Sequence, residues 1–222
     1  MLLLALDTST TAITAALHDG TSAVAEATVL DARGHAEHLA PAVARVLAEA
    51  GVAAAQLTDI ACGLGPGPFT GLRVGIVTAR TLALVTGATL HGLSSLDALA
   101  HEAFQSSSRE ELVVATDARR KEIYWARYAR GAAGIPVRST GPEVTRPADL
   151  PADVTPLPAV GRGPLLYPTA FSGPHGRPLD VSAAWLADLV VRRLSAGEPV
   201  NEREPYYLRR PDAAPLATSA AG

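Results

Sequence analysis

Cys62-Gly63-Leu64-Gly65-Pro66-Gly67-Pro68-Phe69-Thr70-Gly71-Leu72-Arg73-Val74-Gly75 turns a buried strand into a helix, and the rest of the chain is read around it. Ile60-Ala61-Cys62 ends the strand. Pro66 and Pro68 then fix φ, while Gly65 and Gly67 admit conformations closed to other residues, so the corner is rigid. From Phe69 onward the spacing predicts a helix over 70–86, stopped by Gly87. Gly71, Gly75, Ala79 and Ala83 recur every four residues as a stripe of small side chains, and Leu72, Ile76, Val77 and Leu84 make the remaining surface apolar. A helix apolar on more than one face is buried on more than one face. Each glycine inside a helix costs about 1 kcal/mol relative to alanine, so a close approach must offset that cost. The expectation is one side on a sheet and the other against a partner helix, with Gly71, Leu72, Gly75, Ala79 and Ala83 either at the partner contact or, if the stripe faces the other way, packed on the sheet.

Upstream, residues 2–6 read as an apolar strand, Asp7-Thr8-Ser9-Thr10-Thr11 as a polar turn and 12–17 as a second strand. Asp19-Gly20 is a hairpin signal leading to a third strand over 22–30. Leu39, Val43, Val46, Leu47 and Ala50 stand at helical spacing over 36–50, with regular helix starting close to 37 because Pro41 is tolerated only near a first turn. A strand over 59–63, the small-residue helix, a strand over 89–92 and a helix over 94–104 complete a βββαβαβα order. That order means a mixed sheet with helices on its faces.

Ser106-Ser107-Ser108 marks a boundary, so the expected domains are 1–105, a second lobe at 109–200 and a C-terminal segment at 201–222. Strands are expected at 112–116 and 122–129. From 135 to 178 the texture loosens into short strands and loops, since 10 of the 17 prolines fall there. Ser182 is placed to cap a helix over 182–196 that packs back on the first lobe and is stopped by Gly197. Pro205-Tyr206-Tyr207-Leu208 is read as a short closing strand, and the chain after 212 as frayed.

With 222 residues, 48% of them hydrophobic, the chain can bury an ample core. Its 22 acids against 19 bases leave a net charge of −3, which gives no reason to expect strong autonomous nucleic-acid binding. No apolar run reaches the ~20 residues of a membrane span, and Met1-Leu2-Leu3-Leu4-Ala5-Leu6 lacks the basic start of a signal peptide. The lone Cys62 cannot form an intrachain disulfide, which fits a reducing cytoplasm.

The candidate chemistry is sparse. Asp7-Thr8-Ser9-Thr10 follows a buried strand, where hydroxyls and amides cradle a phosphate or else satisfy their own backbone in an Asx/Ser-Thr turn. Gly63-Leu64-Gly65-Pro66-Gly67-Pro68 fails both phosphate-loop fingerprints, because no Gly-Lys-Ser/Thr follows and the prolines remove amide donors. His35-Ala36-Glu37-His38 lacks metal-helix spacing, and His18, His91, His101 and His175 are isolated. Asp117-Ala118-Arg119-Arg120-Lys121-Glu122 is a charged turn between strands, whose local basicity suits solvent, an acidic partner or RNA. No Ser-His-Asp or Cys-His grouping stands out, and Cys62 in a strand is a poor nucleophile.

Several blocks together resemble the TsaB family, also called YeaZ: Leu4-Ala5-Leu6-Asp7-Thr8-Ser9-Thr10, His35-Ala36-Glu37-His38-Leu39-Ala40-Pro41, the glycine-proline block from Gly65 to Gly75, Asp117-Ala118-Arg119-Arg120-Lys121-Glu122-Ile123-Tyr124 and Tyr207-Leu208-Arg209-Arg210-Pro211-Asp212-Ala213. They run from end to end in family order, although Pro68 departs from the serine usual there. The resemblance implies an actin/Hsp70/sugar-kinase-like α/β fold of two lobes, the second reduced. It implies work in forming N6-threonylcarbamoyladenosine, just 3′ of the tRNA anticodon, beside the paralogue TsaD and the ATPase TsaE. In TsaD a His-x-x-x-His pair binds the catalytic metal; the matching positions here fall at about Ser95 and Leu99, which cannot replace imidazoles. The implied role is therefore a non-catalytic subunit with no metal or cofactor of its own. ATP would be held only weakly, at the vestigial turn Asp7, Thr8, Ser9 and Thr10 or at the complex interface. The implied interface with TsaD, or with a second copy when alone, uses His38, Leu39, Val43, Val46 and Leu47 beside the small-residue stripe. A self-sufficient kinase-like enzyme or glycoprotease-like peptidase on the same fold is the alternative.

Overall fold

The computed structural model describes residues 1–209; the expectation of fraying after 212 lies outside them. Strands β1 (Leu3–Asp7), β2 (Ala12–His18) and β3 (Ala23–Leu30) lead to helix α1 (His35–Ala50), followed by β4 (Asp59–Gly63), α2 (Phe69–Thr86), β5 (Thr89–Leu93) and α3 (Ser95–Gln105). They form a sheet in the order β3-β2-β1-β4-β5, antiparallel across the first three strands and parallel from β1 to β5. The second sheet comprises β6 (Glu111–Asp117), β7 (Ile123–Arg130), β8 (Pro136–Thr145), β9 (Ala159–Val160) and β10 (His175–Gly176), with the short helix α4 (Gly163–Leu166) and the long α5 (Ala183–Ser195). Its order, β8-β7-β6-β9-β10, repeats the first, again with β6, β9 and β10 parallel. Two lobes of one topology, the second shrunk to two-residue β9 and β10, make the actin/Hsp70/sugar-kinase-like fold.

The proline-rich stretch contains the ten-residue β8, longer than any strand expected there. β8 lies at the sheet edge, where proline at the first strand position or beside a register shift forfeits no ladder bond. Residues 205–208 form no strand: Asn201 bridges Gly92, and the Tyr206 amide returns to the Leu64 carbonyl. Helix α1 starts at His35, so Pro41 falls in its second turn. There the carbonyl it leaves unpaired belongs to the exposed Glu37 and can meet water. Helix α2 has the length and mean hydropathy, 1.2, of a membrane span by composition alone. Its inner side is committed to the sheet, through Leu72, Ile76 and Ala79.

Helix α5 lies on β1 and β2 of the first sheet and beside α3. The core between them runs across both lobes, from Leu3 and Ala5 through Leu99 and Phe104 to Val114, Tyr128, Leu186 and Leu189. Within it sits one carboxylate, Asp97, only 1% exposed. It accepts hydrogen bonds from Tyr128 Oη at 2.7 Å, from Arg138 Nε and Nη2 at 3.1 Å and from Arg193 Nη2 at 3.0 Å. Burial alone would lower the Arg138 pKa, but the adjoining Asp97 holds it above its usual value. Removing one partner of a buried ion pair strands the other at a cost of about 3–5 kcal/mol. Asp97→Ala is therefore expected to lose about that much stability in urea unfolding, and a loss below ~1 kcal/mol would show that the cluster is not structural.

Candidate functional site

Asp7, placed by the sequence at the start of a turn, is the last residue of β1 and is fully buried. Its Oδ1 accepts from the Ser9 amide and hydroxyl, both at 2.7 Å, and its Oδ2 from Ser95 Oγ at 2.5 Å. Burial pushes its carboxyl above the ordinary aspartate range, against the bonds from Ser95 and Ser9 that pull it down. Any Cβ at Gly63, on neighbouring β4, would collide with Asp7 Oδ2, which explains glycine in mid-sheet. Thr8 reaches the other way: its hydroxyl donates to the Gly71 carbonyl at 2.8 Å and accepts from the Gly75 amide at 3.1 Å, bridging one turn of α2. Thr10 Oγ1 accepts from the Val181 amide at 3.3 Å. The side chains read as a phosphate turn are thus engaged inside the protein. Ser9, Thr10, His35, Asp117 and Arg119 line a shallow cleft beside them.

The stripe Gly71, Gly75 and Ala79 faces inward, not toward a partner helix. A Cβ at Gly75 would stand 2.5 Å from Thr8 Oγ1, and one at Gly71 would stand 3.0 Å from His35 Nε2 and the Thr8 carbonyl. Leu72, Leu39, Val43 and Val46 are buried on the same side of the sheet, and Leu47 and Ala83 pack partly buried against them. Of the residues expected at an interface, Leu39, Val43, Val46, Gly71, Leu72, Gly75 and Ala79 are buried within the folded chain. His38, Leu47 and Ala83 are partly exposed, His38 with Nε2 3.3 Å from Asp31 Oδ2. The outward face of α2 carries Val77, Leu84 and Val85, exposed by 61%, 84% and 78%. Thr70, Val77 and Leu84 stand seven residues apart, a helical-face spacing already readable in the sequence. Ala36, Ala40 and Ala44 line the exposed side of α1, which packs beside α2.

Ser95 opens α3, donating to Asp7 and accepting from the Gly65 amide at 3.0 Å; Leu99 is fully buried. Among the described residues no group of three or more His, Cys, Asp and Glu could hold a metal. His91 and His101 each meet a carboxylate, Asp59 at 2.8 Å and Asp188 at 2.6 Å. Burial drives the Cys62 thiol well above its usual pKa, leaving it a poor nucleophile.

A family model described as "TsaD: tRNA N6-adenosine threonylcarbamoyltransferase" matches residues 29–160. An uncharacterized protein of Mycobacterium tuberculosis is 39% identical over 217 residues, covering 96% of this chain and 94% of that protein. The Escherichia coli tRNA threonylcarbamoyladenosine biosynthesis protein TsaB is 38% identical over 136 residues, 61% of this chain and 58% of that protein. Among solved structures, YeaZ from Pseudomonas aeruginosa superposes with a TM-score of 0.79 at 30% identity, covering 93% of this chain and 99% of that one.

Two outcomes are expected of the turn and the stripe. The raised carboxyl of Asp7 means that the folded state holds a proton the unfolded chain gives up near the reference value of 3.8. Stability therefore falls as pH rises from that value through the raised one. Asp7→Asn removes the titration, so melting curves from about pH 4 to 8 should show the variant gaining on the parent as pH rises; parallel curves would count against a raised carboxyl. Gly75→Leu drives a side chain into Thr8 and should cost about 1–3 kcal/mol or more by overpacking. A variant as stable as the parent would return the stripe to the surface.

Proposed function

The chain belongs to the TsaB (YeaZ) family of tRNA threonylcarbamoyladenosine biosynthesis, and we propose that within that pathway it is a non-catalytic partner that activates TsaD. The observation that carries this reading is the outward side of α2, where Val77, Leu84 and Val85 leave a large apolar surface open, flanked by Arg73 and Arg80. Isolated exposed apolar side chains are ordinary; a row of them along one helix marks a contact. Small alanines on the neighbouring face of α1 let a second helix pair lie close. The TsaD paralogue covers this face in the working assembly, and a second copy of the chain covers it when the chain is alone.

Catalysis belongs to TsaD. At the positions matching its metal pair, Ser95 is spent on Asp7 and Leu99 is buried in the core. The engagement of Thr8 and Thr10 inside the protein supports leaving nucleotide to the junction with TsaD. TsaE supplies ATP hydrolysis, and tRNA is brought to the assembly through TsaD. A cytoplasmic setting suits the unpaired Cys62. The engaged turn speaks against a self-sufficient kinase, and the buried thiol against a cysteine peptidase.

Leu84→Asp and Val77→Asp test the face. Both sites are solvent-exposed, so melts should stay within about 0.5 kcal/mol of the parent. Gel filtration with TsaD should show no complex, and modified tRNA should not form when TsaD and TsaE are supplied. A variant that still binds TsaD and supports modification would sink the assignment. So would robust threonylcarbamoyl transfer by the chain alone.

A further inference from the structure

The turn between β6 and β7 holds Arg119, Arg120 and Lys121 at φ of 61°, 53° and 62°, three successive non-glycine residues in the left-handed region. Single residues of this kind are uncommon, and strain kept by a fold gathers where it serves a purpose. The turn is closed by the Glu122 amide on the Arg119 carbonyl at 3.0 Å and by the Arg119 amide on Asp117 Oδ1 at 2.7 Å. It faces a cavity of about 260 Å³ lined by Arg119, Arg120 and Arg209 together with Phe69, Tyr124 and Tyr207. Phe69 and Tyr207 pair at 5.1 Å between centroids, and Arg73 lies 3.8 Å over the Phe69 ring and donates to Tyr207 Oη at 3.3 Å. Arg119 pairs with Asp117 and Arg209 with Glu122, and neither acid lines the cavity.

A protein with net charge −3 has here collected arginines and aromatic rings around one hollow. Rings offer every base a stacking surface, and arginines beside them take the adjoining phosphate. We propose that this hollow holds an unpaired nucleotide of single-stranded RNA, its base against the Phe69–Tyr207 pair and its phosphate on the Arg119–Arg120 tip. The inference goes beyond the partner role and rests on it only for the source of the RNA. The near-neutral net charge makes the contact weak in isolation and local rather than spread over the surface.

The test uses the full chain and a fluorescein-labelled RNA of about ten nucleotides, followed by anisotropy across a salt series. Tyr207→Ala should weaken binding roughly five- to hundredfold, while Tyr207→Phe, which keeps the ring, should bind like the parent. Arg119→Asn with Arg120→Asn keeps residues that tolerate positive φ and should flatten the salt dependence by about one to two phosphate contacts. Unfolding curves on the same samples guard against a folding defect. No measurable binding by the parent, or folded variants that bind and respond to salt as the parent does, would overturn the site. AMP displacing the RNA at equal nucleotide concentration would make it a mononucleotide site and overturn the RNA assignment. Association with TsaD is scored separately by gel filtration, so failure of the partner reading leaves this result standing.

Discussion

One hydroxyl sets the geometry of the first lobe. Thr8, just past the end of β1, places its Oγ1 between the carbonyl of Gly71 and the amide of Gly75. That contact requires α2 to present bare backbone to the sheet, and it accounts for glycines that would otherwise weaken a helix. With Gly71, Gly75 and Ala79 turned inward, the residues seven apart on the opposite side have nowhere to go but outward. The open apolar surface at Val77 and Leu84 is thus the other half of the same constraint.

The neighbouring Asp7 shows how a binding turn is closed from within. In an open turn its carboxylate and the hydroxyls beside it would face a cleft; here Ser9 and Ser95 take up both oxygens. Ser95 stands at the head of α3, so one side chain ties that helix to the turn. The turn is thus a packed joint between β1, α2 and α3.

Most of the first lobe was legible because its signals are local. β4 is the expected 59–63, and α2 differs from the expected helix by one residue, since corner prolines, glycine stops and apolar runs act over a few positions. The direction of the small-residue stripe was not legible. A period of four states that something comes close and says nothing about what, and the deciding group, Thr8, lies 63 and 67 residues away from its partners. The Asp97 cluster was equally hidden, because Arg138 and Arg193 stand 41 and 96 residues from it. β8 was obscured for another reason: prolines read as breaks in a central strand are harmless at an edge.

The place of α5 has a consequence for how the chain is made. The inner face of β1, with Leu3 and Ala5, is covered by a helix that begins at Ala183. Synthesis runs from the N-terminus at roughly 5–20 residues per second, so that face waits on the order of ten to forty seconds for its cover. During that interval the nascent first lobe shows water an apolar sheet surface, the kind of surface that chaperones hold and that aggregates. Its native pairings are also long in sequence, which slows their closure once the helix arrives. The first lobe is thus complete in topology early and complete in stability only once α5 has emerged, and a ribosome stalled before Ala183 would release a sheet half covered.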